Sequence, residues 1–208
     1  MPEIPLILFA KAPIAGAVKT RLQSHCSAQQ AAEIAKILLQ ESIIKSTDFW
    51  PGPVVLSVSL GRDNPFLQEM CCKYSLHIVS QCQGDLGAKM LGAFTDFGYP
   101  CAILGCDAPH VLGSELRSAH RYLSQGANIL GPSQDGGYYL IGLSAAQHTL
   151  FSEMPWGSDS ILEKTIARGK PAFKFLADLN DVDEWADLAE AAELLPRLKQ
   201  YLVSQDIG

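Results

Sequence analysis

An α/β fold with a largely parallel central sheet, flanked by helices on both faces, is what this sequence predicts, on three observations. Short β-rich apolar runs alternate with segments of helical periodicity. Glycine or proline bounds most of those runs. The runs are also apolar almost throughout rather than every second residue, as in strands covered on both sides.

The elements follow in order. Strands are expected at Ile4–Phe9, Val54–Leu60, Leu76–Val79, Cys101–Leu104 and Asn128–Leu130. Between them the spacing predicts helices over Ala28–Lys45, Pro65–Tyr74, Leu86–Phe97 and Gly113–Ser124, the first carrying Ile34, Ile37, Leu38 and Ile44 on one side. After Gly131 the rhythm changes. Gly136-Gly137 precedes a strand at Tyr138–Leu143, and Trp156 precedes a helix from about Ser158 to Arg168. A strand at Ala172–Leu176 leads into a closing helix, and Pro196 opens a separate last one. No linker, repeat or low-complexity stretch divides the chain, so residues 1–208 are expected to form one domain.

Composition narrows the function. The 208 residues are 48% hydrophobic and 18% charged, enough for a substantial core. A formal net charge of -6 argues against nucleic-acid binding, which needs a basic face, but leaves room for local basic clusters that bind a small anion. No apolar run approaches a membrane span, and no basic segment leads into a signal-peptide core, so a cytoplasmic location is expected. The six cysteines include no Cys-x-x-Cys pair and read as reduced thiols. Neither they nor the five scattered histidines are assigned a metal.

Ligands of open α/β sheets bind beyond the carboxyl ends of the strands, which gives weight to the polar residues there. "FAKAPIAGAVKTRL" leaves the first strand with Gly16, where backbone can approach a ligand, and with Lys19 and Arg21 flanking a hydroxyl. The segment is neither a Walker A loop nor a dinucleotide fingerprint. Its cations meet a phosphate or stand as a solvated face. Asp107 ends "AILGCD" directly after an apolar strand, placed to hold a hard divalent cation or to cap a turn. In "GPSQDGGYYLIGL", Asp135 and two glycines form a ligand-facing loop or an ordinary hairpin turn. Asp85 of "QGDLGAKM" accepts from substrate hydroxyls or caps the following helix, with Lys89 adding charge. Asp181, Asp183 and Asp187 cluster in "LNDVDEWADL", where Asp183 either serves the helix dipole or faces Asp107 to clamp a metal.

Taken in order, FAKAPIAGAVKTRL, GDLGAKM, GCDAP, GPSQDGGYYLIGL, WGSDSIL and LNDVDEWADL resemble the radical SAM/selenodomain-associated transferases, glycosyltransferase-like members of the nucleotide-diphospho-sugar transferase superfamily. The Lys-Thr-Arg-Leu segment is also similar to the phospholactate guanylyltransferases, a nucleotidyltransferase branch. The resemblance implies a GT-A-type, Rossmann-like fold. It also implies a nucleotide-sugar or nucleoside triphosphate donor, a small-molecule acceptor, and Mg²⁺ or Mn²⁺. Lys11, Gly16, Lys19, Arg21 and Asp85 would then contact the donor, and Asp107 and Asp183 the metal, with Asp181 the alternative to Asp183. Asp135, with Asp107, would serve catalysis as general base or acceptor contact. The chain departs from this pattern at Glu184-Trp185, at Gly157-Ser158 and at His110, a position usually acidic in relatives and not counted as a ligand.

Overall fold

A computed structural model describes residues 3–207. Seven strands form one sheet: β1 (Leu6–Ala10), β2 (Val54–Val58), β3 (His77–Ser80), β4 (Cys101–Gly105), β5 (Asn128–Pro132), β6 (Tyr138–Leu143) and β7 (Phe173–Phe175). Their order is β3-β2-β1-β4-β6-β5-β7. Only β6 runs against its neighbours, antiparallel to both β4 and β5, while the remaining pairs are parallel. The mostly parallel sheet is as expected, and the single reversed strand follows from the tight connection after β5.

The described residues form seven helices: α1 (Ala28–Phe49), α2 (Pro65–Tyr74), α3 (Leu86–Phe97), α4 (Gly113–Ser124), α5 (Ile161–Arg168), α6 (Trp185–Leu194) and α7 (Pro196–Ser204). Strand alternation sorts α1 to α5 onto the two faces of the sheet, while α6 and α7 pack on α1. Leu6, Leu8, Ala102 and Leu104 pack with Leu39 and Ile43 of α1, Leu67 and Met70 of α2 and Leu116 of α4. Ile7, Ile103 and Ile141 pack on the other side with Met90 and Phe94 of α3, and Leu162 of α5 lies against that cluster. The continuous apolar strands are therefore explained: both of their faces are buried.

Local chemistry places the ends. Ser27 caps α1, accepting from the Gln30 amide at 3.2 Å while Gln30 Oε1 accepts from the Ser27 amide at 2.9 Å. That helix runs four residues beyond the expected Lys45, to Phe49. The polar Ser46-Thr47-Asp48 reads as a loop, but Ser46 is buried on the continuing inner face and Thr47 Oγ1 donates to the carbonyls of Ile43 and Ile44. Pro51 then stops it. The helix after Trp156 begins at Ile161 rather than Ser158, because Ser158 to Ser160 form a turn whose hydroxyls pair with each other.

The third cluster matters most for function. A short 3-10 turn, Thr20–Ser24, buries Leu22 against Ile34 and Leu38 of α1, Val182, and Leu188, Ala191 and Leu198 of α6 and α7. His25 stacks on Trp185 at 4.9 Å. The loop after β1 and the segment before α6, about 160 residues apart in sequence, are thus held together by apolar packing. No helix among the described residues is long and apolar enough to cross a membrane.

Candidate active site

A cleft of about 670 Å³ opens beyond the carboxyl ends of β1, β2 and β4. Lys11, Lys19, Arg21, Asp85, Lys89, Asp107, Asp181 and Asp183 all contribute to its walls. The parallel strands β1 and β4 lie side by side, so both their exit loops face the same space. Gly16 and Asp135 do not line it. Gly16 has φ 81 and open space around it, so a left-handed turn is what requires glycine there.

Lys19 lies at the centre. Its ammonium donates to Asp107 Oδ1, to the Val182 carbonyl at 2.7 Å and to Asp183 Oδ1 at 3.2 Å. The side chain is only 9% exposed, against 57% for Asp107 and 45% for Asp183. Burial alone would push the lysine down, but the charges of Asp107 and Asp183 and their hydrogen bonds raise it instead, so the ammonium stays charged. Its backbone adopts the left-handed region at φ 45, ψ 43, which side-chain-bearing residues rarely occupy. The contacts that Lys19 makes within the chain are to the two acids and a backbone carbonyl, which its residue type and position did not foretell. Arg21 sits further out, 68% exposed, with Nη1 at 3.6 Å from Asp183 Oδ2.

Asp183 does not cap α6. The Asp187 carboxylate accepts from the amides of Asp183 and Glu184 at 3.1 and 2.7 Å, which frees the Asp183 side chain to face Asp107 through Lys19. Asp181 lies close by and is the more buried. Burial, followed by the charges of Asp107, Asp135 and Asp183, pushes its carboxyl up to about 7, and its Oδ1 is buried without a hydrogen-bond partner. Asp135 stands near enough to bear on Asp181 while holding its own turn, Oδ1 accepting from the Gly137 amide at 2.9 Å. Asp85 caps α3, Oδ1 accepting from the Ala88 amide at 2.8 Å, and also lines the cleft.

Both tyrosines border the cleft: Tyr139 is otherwise buried in the core, its hydroxyl donating to the Ala177 carbonyl at 3.0 Å, and the Tyr138 hydroxyl is buried near Thr165. Sequence reasoning missed the Val182 carbonyl, since a backbone acceptor leaves no residue-type signal. It also missed Ser59 and Gln81, ordinary polar residues that line the cleft only because β2 and β3 end there.

The acids suit a hard cation in donor chemistry. Asp107 and Asp183 offer carboxylate oxygens, and the unpartnered Oδ1 of Asp181 adds a third. Among the described residues no preformed group of three or more ligands converges on one point. The set therefore fits an ion such as Mg²⁺ or Mn²⁺ that keeps waters and takes substrate phosphate oxygens alongside one or two carboxylates.

Comparison with solved structures shows the same architecture over the chain's length. A Desulfovibrio desulfuricans protein assigned provisionally to the nucleotide-diphospho-sugar transferases shares 24% identity, with 97% of this chain and 99% of that one covered and a TM-score of 0.78. A Mycobacterium tuberculosis protein solved in complex with manganese is 17% identical, over 94% and 99% of the chains, at a TM-score of 0.56. The 4-diphosphocytidyl-2C-methyl-D-erythritol synthase of Anaerococcus prevotii is 10% identical, over 94% and 97%, at a TM-score of 0.59. The fold is thus the GT-A-type, Rossmann-like one that the motifs implied. No curated protein matches the sequence significantly. A family model does match it over residues 44–158, a span that carries Asp85, Asp107 and Asp135, and the chain belongs to that family, described as an uncharacterized protein conserved in bacteria (DUF2064).

Proposed function

We propose that this protein is a metal-dependent transferase that uses a nucleotide-linked donor, moving a glycosyl group from a nucleotide-sugar to a small acceptor. One observation carries the reading: Asp107 and Asp183 converge on a single cationic point, the Lys19 ammonium, at the floor of a strand-end cleft that Lys11, Arg21 and Lys89 also line. A cleft that pairs acids with cations at this place suits a diphosphate and its counter-ion. The six ordered motifs that resemble the radical SAM/selenodomain-associated transferases support the same assignment.

Asp107 and Asp183 would hold Mg²⁺ or Mn²⁺, which when bound neutralises charge on the diphosphate leaving group. Lys19 and Arg21, with Lys11 and Lys89 at the walls, bind the donor phosphates through charge-assisted hydrogen bonds. Asp85, at the mouth of the cleft, accepts from donor hydroxyls with the oxygen that does not cap α3. Asp135, beside Asp181, receives a proton from the acceptor or orients it.

A second reading, nucleotidyl transfer from a nucleoside triphosphate, is favoured by the Lys-Thr-Arg-Leu segment, whose two cations both face the acids. A melting-temperature panel with MnCl₂ separates the two. Stabilisation by nucleotide-sugars and not triphosphates supports glycosyl transfer, the converse supports nucleotidyl transfer, and stabilisation by neither would sink both.

A further inference from the structure

The three N–H donors of the Lys19 ammonium meet three acceptors: Asp107 Oδ1, Asp183 Oδ1 and the Val182 carbonyl. That is the full hydrogen-bonding capacity of a lysine, satisfied inside the protein by the two acids offered above as metal ligands and the main chain between them. The left-handed backbone at Lys19 and the buried Leu22 beyond it aim the side chain inward. Arg21, two residues on, lies at the exposed rim, its Nη1 3.6 Å from the other oxygen of Asp183.

From this arrangement we infer that Lys19 is a built-in counter-ion that closes the Asp107–Asp183 pair to a free divalent cation, so that cation and donor phosphates enter the site together. The inference rests on the proposed function, because only there is the acid pair a cation site. A free divalent ion arriving alone meets carboxylates already neutralised by a nearly buried ammonium, and must displace it from both with no new partner to offer. A diphosphate changes that balance. Its oxygens give the ammonium acceptors within reach of a flexible four-carbon stem, and the acids are released to the incoming metal. The ligand of this site is accordingly the metal–diphosphate unit rather than either part in turn. An ion pair serving stability alone predicts something different: loss of Lys19 would lower the melting temperature and leave cation affinity unimproved.

The test titrates Mn²⁺ alone into the protein, following free Mn²⁺ by electron paramagnetic resonance, for the unaltered chain, Lys19→Gln and Lys19→Met. Both variants should bind Mn²⁺ at least about tenfold more tightly, the lower end of what one charge-assisted bond contributes, and adding Asp107→Asn should abolish the gain. Equal or weaker Mn²⁺ binding in both overturns the inference. A second measurement needs no variant. In ¹⁵N-lysine spectra of the unaltered protein, MgCl₂ alone should leave the Lys19 ammonium resonance in place, and MgCl₂ with methylenediphosphonate should shift it. Displacement by MgCl₂ alone at the same concentration also overturns it. Tighter Mn²⁺ binding in the variants with no nucleotide binding in the donor panel would keep the counter-ion and sink the transferase reading. Donor binding without that gain would do the reverse.

Discussion

The amide of Val182 donates to the carbonyl oxygen of Asp107 across 2.9 Å, and so joins the segment after β4 to the segment before α6 through the main chain. The spacing of Asp107 and Asp183 is therefore a property of the backbone. Either carboxylate can be altered without letting the other drift, which makes single substitutions here interpretable.

Asp107→Asn tests the cation assignment. The amide is a poor ligand for a hard cation, so divalent-dependent nucleotide binding measured by calorimetry should be largely lost. Lys19 keeps Asp183 and the Val182 carbonyl, so the stability cost should stay near roughly 1–2 kcal/mol in urea unfolding. Metal-dependent affinity that survives the change would remove Asp107 from the site.

Arg21→Ala isolates a phosphate contact from a structural one. The guanidinium is 68% exposed and 3.6 Å from Asp183, a pair worth about 0–1 kcal/mol to the fold. Melting should hardly move. Affinity for a nucleoside diphosphate should fall about ten- to a hundredfold, with the bare nucleoside unaffected. Equal weakening of both ligands would make the loop structural.

Asp135→Asn pits catalysis against turn geometry. Asparagine Oδ1 can accept from the Gly137 amide as aspartate does, so the melting temperature should hold. Turnover should drop strongly while donor affinity stays within a few-fold, since a lost base or orienting group raises the barrier without touching diphosphate contacts. Near-normal turnover would return the residue to a plain hairpin role.

Gly136→Ala tests the support of the same loop. Gly136 has φ 84, and a Cβ there would fall 2.3 Å from the Asp159 carbonyl oxygen. The Gly136 carbonyl also accepts from the Leu162 amide at 2.9 Å, tying the β5–β6 loop to α5. Left-handed backbone and a backbone clash together should cost about 2–4 kcal/mol in denaturant unfolding. A loss under about 0.5 kcal/mol would show that the loop is free to shift.

The central strands were legible because β1 and β4 are apolar on both faces, and several helices because they carry their own cap, as at Ser27, Asn64 and Asp85. The end of α1 was not, since Ser46 and Thr47 look like loop residues until their burial and back-bonding are seen. Candidate acids and cations were legible as residue types at strand ends, and eight of those singled out do share one cleft. Their roles toward one another were not. Sequence alone determined the layered α/β fold and the chemical inventory of the cleft, because periodicity, caps and turn residues act over a few neighbouring positions. That Lys19 reaches Asp107 and Asp183, that Asp187 leaves Asp183 free, and that Asp181 is crowded by other carboxylates was decided only by the tertiary structure. Those relations arise where Leu22, Val182 and Leu188 pack together across most of the chain's length, and electrostatics between charged groups depends on that distance and burial, which no local pattern encodes.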